Sequence, residues 1–303
     1  MKVCFLSWHY GTPQLFLDTL TKMTPQCSNR WKDMEAVTDP DKADFICVFD
    51  GYSASKLPLD RTLYFGQHPK IENGHCPAFR TWAEIDCLGK YPLDKHWNCG
   101  EWWIPQNYDE LTKMKYKDVK KDKKLCCIMT YQNHKPMYAQ RLIFMEKFSA
   151  TVKDYDLYGR PSEKFLENGI LSEAYKGQLG PKEFDAKKGE HFLGKEIVGQ
   201  YDYSLEFDVG PTKNYISERF YDALLLWTFP FYFGSTNVEE ILPEGSFANL
   251  DIQDTSFENT IATRFIAENK PSKSTIEKMA EARDLLLNKY QTWARVYETI
   301  KEL

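Results

Sequence analysis

The sequence predicts an α/β fold in two domains, on three observations. Short apolar runs stand at 2–7 (KVCFLS), 44–49 (DFICVF), 61–65 (RTLYF), 125–130 (LCCIMT) and 229–233 (FPFYF), with helix-like stretches between them. That alternation belongs to sheets covered by helices. A polar, lysine-rich tract at 107–124 has no apolar periodicity and separates these runs into two groups, which marks a linker and predicts domains 1–115 and 116–303. Finally, 303 residues are enough for two domains of ordinary size.

In the first half, the run at 2–7 reads as a buried strand. A helix follows from about Pro13 to Met23, with Leu15, Leu17 and Leu20 as its apolar residues. The strands at 44–49 and 61–65 end at Asp50-Gly51 and Gly66-Gln67-His68. Ligands of such sheets meet the loops at the strand C-termini, so Trp8-His9, Asp50-Gly51 and Gln67-His68 are the candidate functional loops. Residues 96–105 are dense in tryptophan. Trp97, Trp102 and Trp103 could stack on sugar rings or serve packing, since large aromatics mostly serve burial; Trp102 joins Trp8 and His9 as an acceptor-side candidate.

The second half opens with the strand at 125–130, a polar loop at 131–135 and a helix from Pro136 to Phe148 that carries Arg141. A short strand and turn, Tyr155 to Arg160, comes next, and residues 162–200 have no pattern that assigns them. From Ser272 an apolar stripe (Ile276, Met279, Leu286, Tyr290, Trp293, Tyr297, Ile300) predicts one long packing helix.

The densest information lies at 201–252. Tyr203, Leu205 and Phe207 alternate as a strand leading into Asp208; Gly210, Pro211 and Asn214 make a turn; a helix runs from about Ser217 to Trp227; and FPFYF, closed by Gly234, is a second buried strand. Strand, loop, helix and strand fit a right-handed parallel crossover. Helical spacing would put Tyr215, Glu218 and Arg219 on one face of the first turn. A helix N-terminus favours an anion, and a guanidinium adds a fork suited to phosphate. A carboxylate beside it can accept sugar hydroxyls, and a ring can line a base. The set suits a nucleotide-diphosphate sugar; the plain alternative is a surface Glu–Arg pair.

This stretch resembles the donor-binding motif of the α-1,3-fucosyltransferase family. The family pattern is a strand ending Phe-Glu-Asn, then Tyr-(Val/Ile)-(Thr/Ser)-Glu-Lys, a helix, and a Thr-apolar-Pro-apolar strand ending in Gly. Here it stands as Phe207-Asp208-Val209, Tyr215-Ile216-Ser217-Glu218-Arg219, Asp222-Ala223 and Thr228-Phe229-Pro230-Phe231-Tyr232-Phe233-Gly234, and it continues through Ser246-Phe247 and Asn249. The departures are Asp208-Val209 for Glu-Asn and Arg219 for Lys.

The resemblance implies the GT-B architecture, two Rossmann-like domains facing a cleft, and an inverting transfer from GDP-fucose or another nucleotide sugar to a glycan or glycoprotein hydroxyl. It implies that Arg141 and Arg219 hold the diphosphate, and that Glu218, Tyr215 and Asp208 complete the donor site. The family's glutamate after the third strand, the expected base, corresponds to Gln67, and a glutamine cannot accept a proton at neutral pH. Asp50, His68, Glu72 and Glu101 are the nearby substitutes. With no strand-end Asp-x-Asp to hold a metal, no cofactor is expected. A donor of another sugar, or a sugar-nucleotide-binding module without turnover, remains an alternative.

Composition narrows the classes further. The net charge is −5, and Lys115 to Lys124 is the one basic run, so nucleic acid is not an expected partner. The N-terminal apolar run is too short for a secretory leader and no stretch approaches a membrane span, which predicts a cytoplasmic protein. Of eight cysteines, Cys4, Cys47, Cys126 and Cys127 lie in strand-like runs and read as buried free thiols.

Overall fold

A computed structural model describes residues 1–7, 10–49, 57–65, 100–181, 194–213, 215–253 and 270–303. Two sheets organise them. The first comprises β1 (Lys2–Ser7), β2 (Arg30–Trp31), β3 (Met34–Ala36), β4 (Phe45–Phe49) and β5 (Thr62–Phe65) in the order β2-β3-β1-β4-β5. Its pairs are parallel apart from the β2–β3 pair. The continuous apolar runs of β1 and β4 follow from burial on both faces. Phe5 and Phe49 point to the main core, while Cys4, Leu6, Ile46 and Val48 fill a smaller one behind them. Helix α1 (Pro13–Thr21) starts where the Thr12 side chain accepts the Leu15 N–H at 3.2 Å, with Pro13 in its first turn. It buries Leu17 and Leu20, as expected, with Phe16; the expected core residue Leu15 is 40% exposed, and Phe16 takes its place in the core.

The 107–124 tract is not a loose linker. Asn107 and Glu110 form a reciprocal capping box (Asn107 Oδ1 from Glu110 N, 3.0 Å; Glu110 Oε2 from Asn107 N, 2.8 Å) that opens α2 (Tyr108–Lys113). Leu111 is wholly buried, and Met114 O accepts the Trp227 indole N–H at 3.1 Å.

The second sheet is built from β6 (Lys123–Thr130), β7 (Asp156–Arg160), β8 (Tyr175–Gly177), β9 (Tyr201–Phe207), β10 (Phe229–Phe233) and β11 (Ala248–Asn249), in the order β11-β10-β9-β6-β7-β8 and parallel throughout. Helix α3 (Pro136–Thr151) connects β6 to β7. Two short helices, α4 (Ser162–Glu167) and α5 (Gly169–Ser172), lead into β8 and occupy part of the stretch the sequence left unassigned. The crossover from β9 to β10 through α6 (Glu218–Leu225) is the expected one. The chain moves outward from β6 to β7 and β8, then returns to the other side of β6 with β9. The switch point is therefore the crevice beyond the carboxyl ends of β6 and β9, where open α/β sheets bind ligands.

Two expectations change. All seven residues of β9 are buried, so Asp202, Ser204 and Glu206 face protein rather than water, because both faces of this central strand are covered. The C-terminal stripe is not one helix. Helix α7 (Lys273–Leu285) continues as a π turn over Leu286–Tyr290, breaks at Gln291 (ψ 158°), and restarts as α8 (Thr292–Lys301) with the Gln291 side chain accepting the Trp293 N–H at 2.8 Å. The break lets α8 cross back to the first sheet: Trp293 meets the Phe5 ring at 4.9 Å and donates to Leu20 O at 2.9 Å. The chain's last helix thus packs against the first sheet.

Gly100 pairs with the chain on both sides of the break at Gln291. Gly100 N–H donates to Tyr290 O at 3.2 Å and Thr292 N–H to Gly100 O at 3.0 Å. A Cβ at Gly100 would overlap the Tyr221 ring. Cys4, Cys47, Cys126 and Cys127 are buried free thiols, as expected. Among the described residues no helix is long and apolar enough to cross a membrane.

Candidate functional site

At the end of β9 the backbone of Asp208 pairs with β10 (N–H to Phe233 O, 2.8 Å), which aims its carboxylate at the start of α6. Oδ2 accepts the Ser217 N–H at 3.2 Å and the Tyr232 hydroxyl. Tyr232 Oη in turn accepts the Ser235 N–H at 2.8 Å. Burial pushes the Asp208 carboxyl up to about 6, against the hydrogen bonds from Ser217 and Tyr232. Asp208 therefore supports the loop from behind, 3% exposed and with Oδ2 engaged by Ser217 and Tyr232. Gly234 closes β10 because a Cβ there would lie 2.6 Å from Asp208 Oδ2.

Helix α6 begins at Glu218. Tyr215 precedes it outside the helix, so the expected helical face of Tyr215, Glu218 and Arg219 is assembled by the loop and not by helical periodicity. Glu218 Oε1 lies 3.8 Å from Arg219 Nε. Arg219 Nη1 donates to Ile128 O in β6 at 3.1 Å, which draws the guanidinium to the switch point. Burial opposes its charge, but Glu218, Glu206 and Asp208 outweigh that and raise its pKa. The Ser217 hydroxyl is buried at the helix start without a hydrogen-bond partner among the described residues.

Arg141 comes from the first half of α3 and is 4% exposed. Its guanidinium lies over the Tyr138 ring at 4.5 Å, and Nε and one Nη have no hydrogen-bond partner among the described residues. Burial, and then the neighbouring Arg219 charge, pushes it down to about 10. A buried cation with open donors, facing a second cation and a helix N-terminus, is a site that wants an anion.

Behind this site runs a polar seam between β9 and α6 that the sequence reading missed. Lys195 Nζ stands 3.1 Å from Glu218 Oε1, 3.8 Å from Asp222 Oδ2 and 4.2 Å from the Trp103 ring centre. Asp222 Oδ1 accepts the Trp103 N–H at 2.7 Å. Burial pushes Glu206 up to about 8 and Asp222 up to about 7. Glu218 is held below its usual value: burial works to raise it, and Lys195 and Arg219 overcome that. A carboxylate inside an apolar strand, as Glu206 is, was a readable signal. Lys195 sits in a stretch without periodicity and gave none.

Of the other predicted residues, Asp50, Gln67, His68, Trp8 and His9 lie outside the described residues, as does Glu72. Trp102 is corrected: it is 1% exposed, and its indole N–H donates to Gln106 O at 2.9 Å, so it packs the core and cannot stack on an acceptor sugar. Glu101 is buried beside Tyr10 and Lys22, whose titrations it influences. Among the described residues there is no group of three or more His, Cys, Asp or Glu side chains placed to hold a metal ion.

No protein-family profile matches the chain, and no curated protein does. Solved structures do. One of them is the DNA-modifying enzyme β-glucosyltransferase, at 12% identity and a TM-score of 0.50 over 100% of both chains. Others are an α1,3-fucosyltransferase with GDP, at 14% identity and a TM-score of 0.44 over 93% of this chain and 82% of that one, and S. aureus MnaA with UDP, at 10% and 0.47 over 99% and 96%. The full-length likeness to the β-glucosyltransferase, together with two parallel-dominated sheets, gives the chain the GT-B fold of two Rossmann-like domains.

Proposed function

We propose that the chain is a glycosyltransferase that draws its sugar from a nucleotide-diphosphate donor, GDP-fucose first among the candidates, and passes it to a glycan or glycoprotein hydroxyl. The observation that carries this is Arg141: a buried guanidinium with open N–H groups, beside Arg219 and the N-terminus of α6, at the switch point of the second sheet. Such an arrangement is worth keeping only if a strongly charged group completes it. Arg141, Arg219 and the first α6 amides hold the diphosphate, Glu218 accepts hydroxyls of the sugar or ribose, and Tyr215 lines the nucleotide. Asp208 and Tyr232 hold the loop that presents them.

In the reaction the acceptor oxygen bonds to the anomeric carbon as the bond from that carbon to the phosphate oxygen breaks, with inversion. The acceptor proton passes to a base, and the diphosphate leaves with its electrons. The guanidiniums neutralise charge that grows as the bond breaks, the interaction that accelerates a chemical step. The base is to be sought in the first-domain loops: Asp50 and His68 can accept a proton, whereas Gln67 can only orient. With two arginines for the leaving group, turnover is expected to survive chelation. The fucose reading draws on the motif from Tyr215 to Gly234; Arg219 and Val209, where this chain departs from it, favour a second reading with another nucleotide sugar. Calorimetry with GDP, UDP and their sugar conjugates tests both. Tight GDP and weak UDP support the first, the reverse replaces it with the second, and failure to bind either refutes the donor site.

A further inference from the structure

We infer that Lys195 is a positioning residue for donor recognition: it holds the Glu218 carboxylate ionised and aimed at the sugar of the donor, an inference that rests on the nucleotide-sugar reading above. Lys195 opens the turn at 195–200 that precedes β9. Its side chain is only 12% exposed, so it is a built part of the interior and not a surface lysine that happens to meet an acid. Nζ is held by two successive turns of α6, through Glu218 at 3.1 Å and Asp222 at 3.8 Å, and by the Trp103 ring at 4.2 Å. Glu218 and Asp222 are four apart and share one helix face. Without a cation between them, two buried carboxylates would repel and one would take up a proton.

The charge balance of the seam shows why this lysine is needed. Glu218 is faced by Lys195 from the turn before β9, by Arg219 and Asp222 on its own helix, by Asp208 from β9, by Tyr215 from the loop and by Tyr10 from the first domain. Glu206, also on β9, shares Arg219, Asp222 and Lys195 with it. Lys22 also faces Asp222 and Arg141 faces Asp208, so of the cations around these four carboxyl groups only Lys195 and Arg219 face Glu218. Arg219 is the more distant of the two, with Nε 3.8 Å from Glu218 Oε1 against 3.1 Å for Lys195 Nζ, and its Nη1 donates to Ile128 O in β6. A protonated Glu218 would become a neutral acid, losing the charge-assisted acceptance of hydroxyl hydrogens. Lys195 therefore acts through Glu218 on the sugar, and the diphosphate, held by Arg141 and Arg219, does not depend on it.

The test is calorimetry of the whole chain with GDP and GDP-fucose, and with UDP and UDP-glucose, from about pH 5.5 to about pH 8.5, the range in which a carboxylate deprived of its cation titrates. Lys195→Met should weaken the sugar nucleotide about 10-fold and the bare diphosphate less than about 2-fold, as expected for one charge-assisted contact. The loss should deepen on acidification and shrink above about pH 8, as Glu218 gains or sheds its proton. Lys195→Arg should restore most of the affinity, and Lys195→Met added to Glu218→Gln should cost nothing further. Equal weakening of both ligands, no weakening of either, or additive losses in the double variant would each overturn the inference. Should Lys195→Met fail to fold, the wild-type protein decides. The sugar nucleotide has no phosphate proton to gain in this range, so an affinity that stays above that of Glu218→Gln and holds down to about pH 5.5 supports an ionised Glu218, and one that falls to the variant's level there overturns the inference. A wild-type protein that binds no nucleotide in either form takes down the donor-site reading, and this inference with it.

Discussion

Arg141→Met separates a ligand-binding arginine from a structural one, because the two roles predict opposite effects on stability. Burial and the Arg219 charge bring the Arg141 guanidinium from 12.5 down to about 10. At about 1.4 kcal/mol for each tenfold in proton affinity, keeping this charge costs the ligand-free fold about 3 kcal/mol. The sign is that of a base whose pKa falls on folding: the penalty is full below about pH 10 and is relieved only above it. Methionine fills a similar volume without the charge. It gives up the stacking on Tyr138 at 4.5 Å, worth about 1–2 kcal/mol. The net is about 1–2 kcal/mol in favour of the variant, so Tm should hold or rise by about 2–6 °C for domains of this size. Nucleoside diphosphate affinity should fall on the order of 100-fold, since two charge-assisted bonds of about 1.5 kcal/mol each are lost. Thermal unfolding and calorimetry on the same preparations read both quantities. A variant that loses several degrees, or one that binds diphosphate as before, would falsify the assignment of Arg141 to an anion.

Three further outcomes are expected. Arg219→Ala should cut turnover about a hundredfold, with Arg219→Lys intermediate, because only a guanidinium can donate to Ile128 O and still face the cleft; steady-state kinetics decides, and near-normal turnover in the alanine variant would return Arg219 to a structural ion pair. Glu206, raised from 4.5 to about 8 by burial, should make the wild type lose stability as pH rises through that window, since the unfolded chain ionises freely while the folded one resists; Glu206→Gln should match the wild type near pH 4.5 and exceed it by about 5 °C near pH 8, and parallel Tm–pH curves would contradict this. Gly100→Ala should lower stability by about 1–3 kcal/mol by displacing the Tyr221 ring; denaturant unfolding should show that the loss is smaller in a Tyr221→Ala background, and simple additivity would mean the overlap is not the cause.

Much of the fold was legible because it depends on local pattern. Runs such as VCFL and FPFYF can only be strands buried on both faces, and the order strand, loop, helix, strand around Tyr215 to Gly234 allows one handed crossover. Arg141 and Arg219 were legible as candidate anion ligands, Arg219 through the motif and its place at a helix start and Arg141 through its place in the helix after β6. Other features were not legible, because their causes act at long range. Periodicity ran through Gln291 unbroken, yet the helix breaks there so that Trp293 can reach Phe5, a partner nearly the whole chain away. Trp102 could be read as a sugar platform or as packing and is core, because exposure belongs to the assembled fold and not to the residue. The partners of Asp208 Oδ2, the Ser217 N–H and the Tyr232 hydroxyl, come from two different segments that no local pattern joins to it. Lys195 had no signal at all. The sequence by itself determined which segments form the buried strands and which arginines are candidates to hold an anion. Only the tertiary structure decided which carboxylates keep their charge, because ionisation inside a protein depends on cations that distant segments bring to within a few ångströms.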